Sequence, residues 1–143
     1  MNLVLKGALR QQIVTQLESA FPDEAGGFLL GARVGDTTSV EAVVSIDNIF
    51  PEHERYHRYE MTPQDWMRLE DEADERGLTL VGYYHSHPNS LAIPSEYDRV
   101  HALPNFAYLI TSIMPAGAAE MLAWHLQDDR TAFESDTLTL KED

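Results

Sequence analysis

Leu78-Thr79-Leu80-Val81-Gly82-Tyr83-Tyr84-His85-Ser86-His87-Pro88, followed six residues later by Ser95-Glu96-Tyr97-Asp98, is the stretch from which the rest of the chain can be read. Residues Leu78 to His85 read as a buried strand, because an apolar and aromatic run of that length sits between Gly77 and a proline-bounded loop, Pro88 to Pro94. Side chains two apart on a strand point to the same side. His85 and His87 can therefore aim imidazole nitrogens at one point beside the strand's end. A short helix starting at Ser95 can return Asp98 to that point. Two neutral imidazoles and a carboxylate suit zinc and leave a fourth position for water. Each half also has a plainer reading. A histidine pair at a strand end can be surface chemistry or a packed edge. Ser95-x-x-Asp98 is also a capping box, in which the serine accepts from a helix-start amide and the aspartate reaches back. The combination at this spacing strengthens the metal reading and leaves the plainer ones open.

Upstream, Leu9, Ile13, Val14, Leu17, Ala20 and Phe21 recur at helical spacing, so residues 7 to 21 form an amphipathic helix ended by Pro22 and Gly26–Gly27. Phe28 to Val34 is a short apolar strand. Ser39 to Ile49 is a longer one after a turn at Gly35–Asp36, and Pro51 to Arg58 is a polar loop. Thr62 caps a helix with Pro63 at its first position and Asp65 in its first turn, running to about Arg76 and closed by Gly77. Phe106 to Ile113, Ala119 to Leu126 and Phe133 to Leu140 are strands. Several connections are too short for a parallel crossover. The expected fold is α/β (α+β): one domain over residues 1–143, a single mixed β-sheet flanked by helices in three layers.

The chain has 143 residues, is 43% hydrophobic and contains no cysteine, which removes disulfides, thiolate ligands and a cysteine nucleophile together. Any catalytic metal must be held by His, Asp or Glu. The net charge of −14 repels phosphate backbones and anionic lipids, so neither nucleic acid nor membrane is an expected partner. Residues 1 to 9 lack signal-peptide features, and no apolar run approaches the roughly 20 residues of a membrane span. A cytoplasmic location is the default expectation. Acids cluster at Glu70, Asp71, Glu72, Asp74 and Glu75, while Lys6 and Lys141 are the only lysines. That balance is found in proteins of organisms with high internal salt and equally in ordinary acidic bacterial proteins.

The stretch from Val81 to Asp98 closely resembles the JAMM motif of the MPN-domain zinc metallopeptidases, which include the deubiquitinases of the proteasome lid and the signalosome. The resemblance extends upstream to Pro22-Asp23-Glu24-Ala25-Gly26-Gly27-Phe28-Leu29-Leu30-Gly31, which matches the family's glutamate before a glycine-led strand, and more weakly to Asn48, Arg58–Tyr59 and Trp124. It implies the cytidine-deaminase-like architecture of that family. It further implies that His85, His87 and Asp98 bind zinc, that Glu24 is the acid/base and that Ser95 donates to the oxyanion. Outside the resemblance, Glu24 reads as a solvated residue in a proline-glycine turn, with Asp23 as a neighbouring alternative. Many prokaryotic members have cysteine where this chain has Gly26.

Three strands fill most of the chain after Asp98, leaving no room for the insertion with which larger members grip ubiquitin. The minimal prokaryotic type is implied. Its substrates are small ubiquitin-like or sulfur-carrier proteins ending in Gly-Gly, cut after the terminal glycine by a zinc-activated water. Two other readings are a non-catalytic MPN scaffold and a RadC-like protein. The former usually lacks part of the motif. The latter carries a DNA-associated helical region absent here. Of the remaining histidines, His53 and His57 fall in the polar loop, His101 on helix surface, and His125 on the side of a late strand facing away. Tyr83 and Tyr84 alternate, so one of them is expected in the core.

Overall fold

The computed structural model describes residues 1–45 and 63–142. The distal part of the Ser39–Ile49 strand, the loop with His53 and His57, Asn48, Arg58–Tyr59 and the Thr62 cap all lie outside these residues. In chain order the elements are β1 (Asn2–Lys6), α1 (Gly7–Ala20), β2 (Gly26–Val34), β3 (Thr37–Ser45), α2 (Pro63–Glu75), β4 (Thr79–Pro88), α3 (Glu96–His101), β5 (Ala107–Met114), β6 (Gly117–Leu126) and β7 (Phe133–Lys141). Gly77, at φ +69°, closes α2 as its sequence anticipates, and the amide of Leu78 returns to the carbonyl of Ala73.

The sheet is single and mixed, but it is not an open layer between helices. Its strands run β1-β3-β2-β4-β5-β6-β7 and close into a barrel. The closing strand is β1, which the sequence reading did not include. It pairs in parallel with β3 on one side and with β7 on the other. Asn2-Leu3-Val4-Leu5-Lys6 carries the period-2 signal of a half-buried strand in miniature: Leu3 and Leu5 are fully buried between less buried neighbours. An open sheet would leave two rows of unpaired amides and carbonyls. A barrel leaves none.

The curled sheet wraps around α1, which packs on β1, β3, β5 and β6. Ile13 and Leu17 of α1 share one core with Leu3, Leu5, Leu29, Val40, Tyr84 and Leu109. Each such side chain, fully buried, contributes about 1.5–3 kcal/mol relative to exposure. α2 lies on the outer face against β4. There Leu69 joins Phe28, Tyr83, Tyr108 and Leu126, while Ala73 joins Leu30 and Val44. The central strands are thus covered on both faces. For that reason Tyr83 and Tyr84 are both buried, at 4% and 1% exposure, where alternation alone predicted one. Among the described residues, no helix is long and apolar enough to cross a membrane.

Gly82 and Gly26 are among the glycines where backbones approach too closely for a side chain. A Cβ on Gly82 would stand 2.3 Å from the carbonyl oxygen of Ala107, and one on Gly26 would stand 2.5 Å from that of Tyr84. At the second contact, β2 and β4 close on each other with no space left for a side chain at residue 26. β4 and β5 run in parallel, with His85 beside Ile110 and His87 beside Ser112. The crossover between them, residues 89–106, folds back over the end of β4 and carries α3. This crossover builds the candidate site.

Candidate metal centre

His85 and His87 project from the end of β4, and Asp98 comes from the first turn of α3. Their donor atoms converge. His85 Nε2 lies 3.2 Å from His87 Nε2 and 3.4 Å from Asp98 Oδ1, and His87 Nε2 lies 3.2 Å from Asp98 Oδ2. Zinc held tetrahedrally at about 2.0–2.1 Å places neighbouring donors about 3.3–3.4 Å apart, close to the spacing found. Among the described residues, these three form the group that could hold a metal ion. His85 and Asp98 are buried, and the His87 ring is more open.

Each donor is aimed by its surroundings. His85 stacks on Tyr83 with ring centroids 5.5 Å apart, and its Nδ1 is buried without a hydrogen-bond partner. His87 Nδ1 lies 2.9 Å from the carbonyl oxygen of Leu91. A carbonyl can only accept, so Nδ1 carries the proton, and in the neutral ring Nε2 presents its lone pair to the site.

Asp98 does two jobs at once. Ser95 is the N-cap of α3 in a full capping box: its Oγ accepts from the Asp98 amide at 3.0 Å, and its own amide donates to Asp98 Oδ2 at 2.8 Å. The capping box is therefore compatible with a metal ligand at Asp98. The box fixes the carboxylate that faces both histidines. Because the box uses Ser95 Oγ as an acceptor, the hydroxyl proton remains for another partner.

The charges are mutually reinforcing. Burial pushes the Asp98 carboxyl up, but hydrogen bonds from His85 and His87, then the charge of His85 and the Ser95 amide, hold it well below the usual carboxylate range. Burial pulls His87 down. The hydrogen bonds with Asp98 and Leu91, together with the charges of Asp98 and Glu24, outweigh that and leave it above the ordinary histidine value.

Glu24 is exposed in the segment between α1 and β2, and its charge bears on His87. The segment is clipped beside the histidines. The Ser86 amide donates to the Ala25 carbonyl at 2.9 Å, and the Ala25 amide donates to Ser86 Oγ at 3.0 Å. Glu24, His85, His87, Ser95 and Asp98 thus come to one region from three separate parts of the chain. Ser86 was not singled out from sequence. The available signal was its place between two histidines on a strand, where its side chain must face away from them.

The other histidines fall outside this group. His101 is half-buried on α3, its ring 4.3 Å from that of Tyr97 and its Nδ1 3.0 Å from the Tyr97 carbonyl oxygen. His125 is engaged with β7, Nδ1 2.6 Å from Asp136 Oδ1.

Comparison with known proteins places the chain in a family. Residues 6–127 match the family described as prokaryotic homologs of the JAB domain. A desampylase of Haloferax volcanii is 34% identical over 104 residues, covering 72% of this chain and 70% of the relative. A protein of Salinibacter ruber with a solution structure superposes with a TM-score of 0.74 at 33% identity, covering 99% of this chain and 92% of the other. A JAB1/MPN domain protein of Archaeoglobus fulgidus superposes with a TM-score of 0.59 over 98% of both chains, and at 18% identity this likeness shows the fold alone.

Proposed function

Because the chain belongs to the prokaryotic JAB-domain family, we propose that it is a zinc-dependent isopeptidase cutting after the C-terminal glycine of a small ubiquitin-like or sulfur-carrier protein. The observation that carries the reading is the triangle of donor atoms at 3.2, 3.2 and 3.4 Å formed by His85, His87 and Asp98. The desampylase relative supports the substrate class.

His85, His87 and Asp98 would hold the zinc. When bound, zinc supplies a lowered water pKa and Lewis-acid polarisation of the scissile carbonyl. Glu24 takes a proton from the attacking water as the new C–O bond forms. It returns that proton to the amine nitrogen as the C–N bond breaks, because an amine leaves poorly without one. Ser95 donates its hydroxyl proton to the oxygen that becomes negative in the tetrahedral state, where a preplaced donor has most effect. A Gly-Gly tail suits a narrow approach to the site because it brings no side chains.

The decisive experiment uses a ubiquitin-like protein whose terminal glycine is joined to a lysine side chain. Cleavage at that bond with zinc, and its loss with a chelator, is expected. A zinc-loaded protein that leaves such conjugates and carrier–amino-acid adducts uncut would end the reading.

A further inference from the structure

We propose that Trp124 is a positioning residue for the metal centre, acting through the 89–94 loop on the orientation of His87. The proposal rests on the metal-centre reading above and extends it to a residue two strands away.

His87 stands where β4 ends, and its side chain keeps 14% exposure against 2% for His85. Packing alone does not fix such a ring, and its aim depends on the Leu91 carbonyl at Nδ1. Leu91 cannot be held in place by burial, because its side chain is 64% exposed. The residues on either side of it are held instead. Ser112 Oγ on β5 donates to the Ser90 carbonyl at 2.5 Å. Trp124 Nε1 on β6 donates to the Ala92 carbonyl at 3.0 Å. The Asn89 amide donates to Ile113 at 2.8 Å, with Asn89 itself in the left-handed region at φ 57°. The Leu91 carbonyl is thus set between two pinned carbonyls, and Ala92 is fully buried beneath them.

Ring orientation gives this scaffold its chemical consequence. The Leu91 carbonyl accepts from Nδ1 at 2.9 Å. That contact turns Nε2 toward Asp98 Oδ2 and His85 Nε2, each 3.2 Å away, where a metal would sit. With the loop displaced, the ring loses the contact that aims it. Trp124 reaches across β5, where it stands opposite Tyr108, so the barrel wall itself supplies the loop's anchor.

The test is Trp124→Phe, which keeps an aromatic ring in the Tyr108 and Phe133 cluster and removes the N–H donor. Leu138→Ala, a core truncation elsewhere, serves as the control for lost stability. The His87 Nδ1–H···Leu91 hydrogen bond is read by nitrogen NMR in metal-free protein, and zinc affinity by competition with a chromophoric chelator. Zinc affinity is expected to fall about 10–100-fold, and the Nδ1 hydrogen bond to be lost. Both should stay at wild-type values in the control. A wild-type Nδ1 hydrogen bond and affinity in Trp124→Phe would overturn the proposal. If that variant fails to fold, Ser112→Ala carries the same expectation through the Ser90 carbonyl, and wild-type values there would overturn it equally. Failure of the wild-type protein to bind zinc would sink the metal-centre reading, while the Nδ1 hydrogen bond in metal-free protein would still decide the role of Trp124.

Discussion

Ser86 holds Ala25 at both of that residue's backbone polar groups, donating its amide to the Ala25 carbonyl at 2.9 Å and accepting the Ala25 amide on Oγ at 3.0 Å. Ser86 is fully buried and lies between the two histidines. One serine therefore ties the segment of Glu24 to the strand of His85 and His87. This lock places the Glu24 backbone, and not that of Asp23, immediately beside the clipped residue.

Glu24→Gln keeps the side chain's size and hydrogen bonding but cannot take a proton. Zinc content and melting temperature should match wild type, while the turnover rate falls about 10²–10⁴-fold, the usual range for a general base. Steady-state kinetics on any cleaved conjugate checks this. Full activity would move the role elsewhere, with Asp23 the first alternative.

Zinc should bind at one ion per chain and raise the melting temperature, since a ligand of the folded form alone stabilises by mass action. Elemental analysis and thermal scans with and without a chelator measure both. Asp98→Asn replaces the charged ligand with a poor neutral one, so activity, zinc affinity and zinc-dependent stabilisation should fall together. Protein free of metal even after zinc addition would contradict the site.

Ser95→Ala separates two roles in a single residue. The N-cap bond to the Asp98 amide is present, so the substitution should cost about 1 kcal/mol of stability in urea unfolding. Loss of the oxyanion donor should lower turnover by about 10²–10³-fold with zinc retained. A stability loss with turnover almost intact would leave Ser95 as a helix cap alone.

Salt should stabilise the fold. The net charge is −14, and α2 exposes Glu70, Asp71, Asp74 and Glu75 with no basic residue in its last turn, where acids oppose the helix dipole. Raising salt from about 0.05 to 1 M shortens the Debye length from over 10 Å to about 3 Å. The melting temperature should rise over that range, and a flat or falling curve would refute the repulsion argument.

The central motif was legible because strand and helix periodicities act locally. His-x-His on a strand must share a side, and Ser95-x-x-Asp98 starts a helix whatever lies around it. Among the described residues, the regular elements from α1 to β7 followed from the same signals, to within a few residues at the ends that are described. Closure of the sheet was not legible. Leu3 and Leu5 give only two inward positions, and nothing near them announces partners at Thr37–Val40 and Thr137–Leu140. The lock by Ser86 and the anchoring of the 89–94 loop were hidden for the same reason. Each joins residues distant in the chain through single hydrogen bonds that leave no periodic trace.

The ring of strands is joined between its earliest and latest members, with Asn2 opposite Thr137. Contacts of such long sequence separation form late and slow the search for the native state. A chain emerging from the ribosome can assemble β2 to β6 around α1, yet β1 waits for a neighbour that has not been made. Until β7 arrives, its place on β1 is open to a strand of another molecule. Closure of the ring thus comes down to one long-range step, the docking of β7 beside β1.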